Sequence, residues 1–156
     1  MKKLALALAV SLTFGFNAYT QATPDFSGTW RLDLSRSDGA ARADTPGPIT
    51  LVITQSPKEV RFDITTSKGT TTETYLFADA GTVLGPGTAI ARWKGDALIT
   101  DSIRDVRGQS VTVQQTRRLV DGSEMVVESV VNVQHGYSAT GAKIYGSSKD
   151  VYVRGH

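Results

Sequence analysis

The feature that most constrains this chain is a two-residue alternation of apolar and polar side chains, broken at short intervals by turn-forming residues. "GTWRLDL" sets Trp30, Leu32 and Leu34 on one face and Arg31 and Asp33 on the other. "ITLVITQ" aligns Ile49, Leu51 and Ile53, and "EVRFDITTS" sets Val60, Phe62 and Ile64 against Arg61, Asp63 and Thr65. "TTTETYLFA", "TAIARW", "ALITDSIRDV", "SVTVQQTRRLV", "EMVVESVVNVQ" and "KDVYVR" follow. Helical spacing is nearly absent, and β-branched and aromatic residues dominate the runs. About nine strands are predicted, at the spacing of an all-β sandwich or barrel.

The joints decide the topology. "SPKE", "SKGT", "KGDA", "VRGQ" and "VDGSE" are hairpin-length, with Gly69, Gly95, Gly108 and Gly122 available for positive-φ positions. Neighbours in sequence then become neighbours in space, with no room for crossover helices. Open sheets leave unpaired edges that invite aggregation, and closure removes them. The expectation is one all-β domain: a single up-and-down antiparallel β-barrel of eight to ten strands. Two longer connections interrupt it, Asp38–Pro48 and Asp79–Gly87, both rich in Gly and Pro or Ala. Gln134–Ser148 admits three forms: an ordered loop, a frayed strand or a bulged hairpin.

The first 22 residues read as an export signal. Lys2 and Lys3 precede an apolar run from Leu4 to Phe16, and Thr20 and Ala22 are small residues placed for cleavage. That run is short of the roughly 20 apolar residues of a spanning helix. Residues 23–156 are then the folded domain, with no membrane span after the signal is removed, and the location is periplasmic or extracellular. The chain holds 17 basic and 15 acidic residues; the signal takes two lysines and no acid, so the domain carries 15 of each. Basic residues are scattered apart from Arg117–Arg118, which gives no nucleic-acid surface. With no cysteine, disulfides and a lipidated cysteine are both excluded, and stability rests on burial. A monomer or weak dimer is expected.

"FSGTWRLD" resembles the first-strand signature of the calycin superfamily, the lipocalins and fatty-acid-binding proteins, with Gly28, Thr29 and Trp30 matching G-x-W. The resemblance implies a lipocalin-like barrel whose narrow end Trp30 plugs. It also implies an arginine from the closing strand, Arg154 in "DVYVRGH", packed across the indole, with Gly28 permitting the close approach. The start F-S-G-T-W-[KR]-L and a mid-chain W-x-G-x-x-L, here Trp93, Gly95 and Leu98, are similar to small exported bacterial lipocalin-like proteins. The helix–turn–helix of fatty-acid-binding proteins has no counterpart, and their closing Arg-x-Tyr is missing, since Asp150 and Val151 precede Tyr152.

Catalytic patterns are scarce. His135, in a predicted turn, and the terminal His156 have no zinc-binding spacing, and there is no cysteine nucleophile or G-x-S-x-G elbow. Asp101 and Asp105, four apart on a strand, would stand about 13 Å apart. Paired glycosidase carboxylates lie roughly 5–9.5 Å apart, so these two are expected to be solvated charges. No enzyme activity, metal or cofactor is expected.

A binding function fits better. Alternation sets Val111, Val113, Gln115, Arg117 and Leu119 on one face, and Met125, Val127, Ser129, Val131 and Val133 on the facing wall. A buried charge is costly unless matched. Arg117 therefore either anchors an amphipathic acid inside the barrel, with Gln115 and Ser129, or lies near a barrel end. In the second case it snorkels to water or replaces Arg154 on Trp30. Tyr75, Phe77 and Trp93 are candidate aromatic lining, with a core or rim role as the alternative for Trp93. The expected partner is a small apolar or amphipathic molecule. The alternative is a non-enzymatic envelope or interaction protein whose barrel is filled by side chains.

Overall fold

The computed structural model describes residues 23–38, 47–79, 81–83, 85, 87–106, 108–135 and 143–155. The signal-like residues 1–22, most of the 38–48 connection, the 136–142 stretch and His156 lie outside the described residues. Nine strands form one closed barrel in chain order. They are β1 (Gly28–Leu32), β2 (Thr50–Gln55), β3 (Glu59–Thr66), β4 (Gly69–Phe77), β5 (Ala89–Lys94), β6 (Ala97–Val106), β7 (Gln109–Val120), β8 (Glu124–His135) and β9 (Lys143–Arg154). No helix occurs among the described residues.

Antiparallel pairing joins every neighbouring pair but one: β4 and β5 run parallel over Leu76–Ile90 and Phe77–Ala91. Parity explains it. A ring of strands that all alternate in direction closes only when their number is even, so a nine-stranded ring must hold a parallel pair. The wholly antiparallel order expected from the short joints is corrected at this one seam. β5 begins beside the last residues of β4, so the two run parallel only over this short stretch. The ring closes where β1 meets β9, in the register Trp30–Arg154, Arg31–Val153 and Leu32–Tyr152.

The hairpins follow their turn chemistry. Lys94 pairs with Ala97 across a two-residue turn, and Gly95 takes φ 62° at the position where a tight hairpin turn demands positive φ. β8 runs through His135, correcting the turn expected there, and β9 begins at Lys143. Their register slips between Val131 and Asn132, where Gly146 and Ile144 are the successive partners. The described part of 134–148 is thus a bulged hairpin rather than a loop.

Inward-facing side chains fill much of the ring. Phe26, Trp30, Ile53, Val60, Phe62, Leu98 and Met125 are buried almost completely. Two expectations fail. Leu34 does not continue the inner face of β1: the strand ends at Leu32, and Leu34 turns outward, 50% exposed. Asp101 is not solvated, at 2% exposure. It is ion-paired with Arg92 on the neighbouring strand and accepts a 2.7 Å hydrogen bond from Gln114 Nε2. These partners offset the cost of burying its carboxylate. Asp105 is exposed.

Candidate ligand-binding site

Two arginines lie over buried aromatic rings of the barrel. The first closes the barrel. Trp30 is fully buried, and its indole Nε1 donates to the Phe26 carbonyl at 2.9 Å. The Arg154 guanidinium lies 4.3 Å from the Trp30 ring centroid. Its Nη1 donates to the Ser27 carbonyl and its Nε to the Gly122 carbonyl, each at 2.9 Å. This side chain thus ties the last strand to the segment entering β1 and to the β7–β8 turn. Gly28 makes room: its φ is +132°, and a Cβ there would meet Arg154 Nη1 at 2.6 Å.

The second arginine is Arg117, on β7. It is 5% exposed, and its guanidinium lies 4.2 Å from the Phe62 ring centroid. Nη1 donates to Thr100 Oγ1 at 2.7 Å and Nη2 donates to Gln115 Oε1. Nε is buried with no hydrogen-bond partner. Among the described residues no carboxylate lies within 4.0 Å of it. Burial pulls its pKa below the ordinary value, and the nearby Tyr75, Tyr152 and Glu73 oppose that pull. An arginine keeps its proton even so, and the result is a buried cation with no carboxylate in contact.

Arg117 lines a cavity of about 260 Å³. Ile49, Leu51, Ile64, Val113 and Val127 supply apolar wall; Tyr75, Gln115, Ser129, Asp150 and Tyr152 supply polar groups. Strand register orders these groups. Thr100, Gln115, Ser129 and Ser148 are successive cross-strand partners on β6 to β9, and Gln115 Nε2 donates to Ser129 Oγ at 3.2 Å. One inward step away, Leu98, Arg117, Val127 and Asp150 form a parallel row. Glu73 also lines the cavity; it accepts from the Tyr75 hydroxyl at 2.8 Å and is ion-paired with the exposed Arg104. Burial, then the Glu73 charge, raises the Tyr75 pKa above that of a free phenol.

The structure brings Tyr75, Gln115, Arg117 and Ser129 together around this cavity, and it does not bring Phe77 or Trp93 there. Those two stack on each other, ring centroids 5.7 Å apart and nearly parallel, with Phe26 6.0 Å from Trp93. They border a separate recess of about 410 Å³ with Asp25, Gln55 and Pro57. Arg117 neither reaches Trp30 nor stands in for Arg154. Sequence reasoning missed Phe62, Thr100 and Asp150 as neighbours of Arg117. Asp150 was within reach: if Arg154 faces inward to meet Trp30, alternation along β9 turns Tyr152 and Asp150 inward too.

No cluster of His, Cys, Asp and Glu suited to a metal ion occurs among the described residues, and no helix there is long and apolar enough to cross a membrane.

No protein-family model matches the chain, and no curated protein matches its sequence. Solved structures do match. The lipid binding protein 8 of Caenorhabditis elegans, in its apo form, aligns over 83% of this chain and 95% of its own, with a TM-score of 0.52 and 12% identity. A fatty acid transporter, REP1-NXSQ, aligns over 83% of this chain and 96% of its own, with a TM-score of 0.43 and 13% identity. The likeness to the nematode protein is one of fold: a closed, all-β barrel.

Proposed function

We propose that this chain is an exported, non-enzymatic, lipocalin-like protein that binds a small amphipathic acid inside its barrel. The observation that carries the reading is Arg117. Enclosing a guanidinium without a carboxylate in contact is unfavourable, and an acidic ligand in the adjoining cavity would relieve that cost. Gln115, Ser129 and Tyr75 would orient the acidic group, and Ile49, Leu51, Ile64 and Val127 would cover an apolar tail. Phe77 and Trp93 take no part. The C. elegans protein is by its name a lipid binder, which accords with this use of the fold.

Cavity size narrows the ligand. At about 260 Å³ the space lies just under the 300–1,000 Å³ common for small-molecule pockets. At roughly 30 Å³ per water it holds on the order of nine water-sized atoms, which favours a short chain over a long fatty acid. The same figure supports the second reading, a non-enzymatic envelope or interaction protein with a largely filled barrel.

Calorimetric titration with straight-chain carboxylates from butanoate to palmitate separates the two, with 1-hexanol as an uncharged control. Binding that favours the short acids and disappears in Arg117→Met is expected. No heat with any acid would leave the filled barrel. Export is tested by the N-terminus of protein recovered outside the cytoplasm, which should be Thr23.

A further inference from the structure

We infer that an acid reaches the Arg117 cavity sideways, through a gap in the barrel wall between β4 and β6, and that the Glu73–Arg104 ion pair latches this gap; the inference rests on the reading proposed above. The gap follows from the parallel seam. β5 pairs with β4 at Leu76–Ile90 and Phe77–Ala91. Farther from the closed end the chain stays with β6: the Gly87 N–H donates to the Ile103 carbonyl at 2.9 Å, and the Ile103 N–H donates to the Thr88 carbonyl at 3.0 Å. Among the described residues no strand pairs there with Gly69–Tyr75 of β4 on the side away from β3.

A cavity of about 200 Å³ marks the place, lined by Glu73 and Tyr75 of β4, Gly87 and Thr88, and Ser102 and Arg104 of β6. Glu73, Tyr75 and Arg104 also line the cavity that holds Arg117. The two spaces therefore meet at three side chains. Register sets the latch at one level. Leu76 of β4 and Asp101 of β6 are both partners of Ile90, and Glu73 and Arg104 each stand three residues beyond them, away from the closed end. Alternation turns both inward, Glu73 with Tyr75 and Arg104 with Thr100. The ion pair between them spans the gap.

The latch is coupled to the site behind it. One Glu73 carboxylate oxygen accepts from Arg104, and the other accepts from the Tyr75 hydroxyl at 2.8 Å. A tyrosine has one proton to donate, so Tyr75 can orient a ligand's acid only after Glu73 gives it up. An incoming carboxylate supplies the means: it competes with Glu73 first for Arg104, then takes the Tyr75 proton, and comes to rest at Arg117. Opening costs little, because the Arg104 and Glu73 side chains are 55% and 22% exposed and an ion pair so placed holds weakly.

The test is NMR line-shape analysis of the protein titrated with hexanoate labelled at its carboxyl carbon, which gives association and dissociation rates separately. A doorway moves both rates in the same direction, whereas a residue that merely holds the ligand moves dissociation. Glu73→Gln combined with Arg104→Gln keeps the net charge and removes the ionic latch, and both rates should rise, up to about fivefold, the scale of one partly exposed ion pair. The chain has no cysteine, so Glu73→Cys combined with Arg104→Cys can be joined by a short, reducible bis-thiosulfonate. Joining should slow both rates at least about tenfold, as expected of a closed gate, and reduction should restore them. Rates that do not differ between the joined and reduced protein, or a glutamine pair that alters dissociation alone, would overturn the latch and leave the proposed acid binder intact. No binding of hexanoate or of any longer acid to wild type would remove both. If the joined variant misfolds, the glutamine pair decides the question.

Discussion

Arg154 and Arg117 make the same contact and do opposite work. Each sets a guanidinium over an aromatic ring, 4.3 Å from the centroid of Trp30 and 4.2 Å from that of Phe62. Arg154 is exposed, and two backbone carbonyls accept its hydrogen bonds. Water screens its charge, and nothing about it calls for a partner. Arg117 is buried, held by a hydroxyl and an amide, with Nε left over. A cation–π contact is worth roughly 0.5–2 kcal/mol, well short of the several kcal/mol that removing an ion from water costs. The ring is therefore enough for the exposed arginine and not for the buried one. The closed end is built for stability, and the inner wall of β6 to β9 gives up stability to keep a charge indoors.

The contrast can be broken most forcefully at the closed end. Trp30→Ala removes a fully buried indole and should cost about 3–5 kcal/mol, read as a lowered denaturant midpoint. A loss under about 1 kcal/mol would mean that the indole is no plug. Gly28→Val should cost about 1–3 kcal/mol for strained backbone at φ +132°, and it should also displace Arg154. Arg154→Met alone should cost about 1 kcal/mol. Combining it with Gly28→Val should give less than the sum, because the clash partner has gone and only the backbone strain remains. Strict additivity would contradict the close-approach account of Gly28.

The smallest effect is a pH dependence from the seam beside this end. Asp33 follows β1; its backbone N–H donates to the Val151 carbonyl, and its carboxylate receives Ser35 and Arg36, the latter also bound to Glu124 of β8. Hydrogen bonds from Ser35 and then Arg36 lower its pKa from 3.8 to about 2. A depressed folded-state value favours the folded protein above the unfolded pKa, and the contribution is lost as pH falls from near 4 through 2. Asp33→Asn should flatten the stability profile in that window only, and slightly, since the group is solvent-exposed. An unchanged acid limb would remove Asp33 from the seam's energetics.

Much of the ring was legible because its information is local. Alternation puts Leu51, Ile53, Val60 and Phe62 on one face whatever their partners, and the same period sends Arg117 inward between Gln115 and Leu119. What was not legible depends on register. Asp101 lies on the opposite face of β6 from Thr100, and nothing within its own strand shows that Arg92 and Gln114 will surround it. Phe77 shares a face of β4 with the cavity residue Tyr75, and Trp93 shares a face of β5 with the buried Ala91. Their height along the barrel is set by the parallel β4–β5 seam, which carries both to a separate recess. The seam itself follows from parity only once the strands are counted as nine. Asp150 is an intermediate case: its face follows from Arg154, but its place beside Val127 opposite Arg117 needs the β8–β9 pairing.

The most direct measurement is the unfolding free energy of Arg117→Met without ligand, taken beside wild type and Arg154→Met under the same conditions. The account predicts that Arg117→Met stays within about 1 kcal/mol of wild type or exceeds it, since a buried ion is exchanged for a packed thioether of similar reach, while Arg154→Met is less stable than wild type. A loss of about 3–5 kcal/mol on replacing Arg117, the size expected when a matched buried pair is broken, would contradict it: the charge would then belong to the architecture, and no ligand would be needed to explain it.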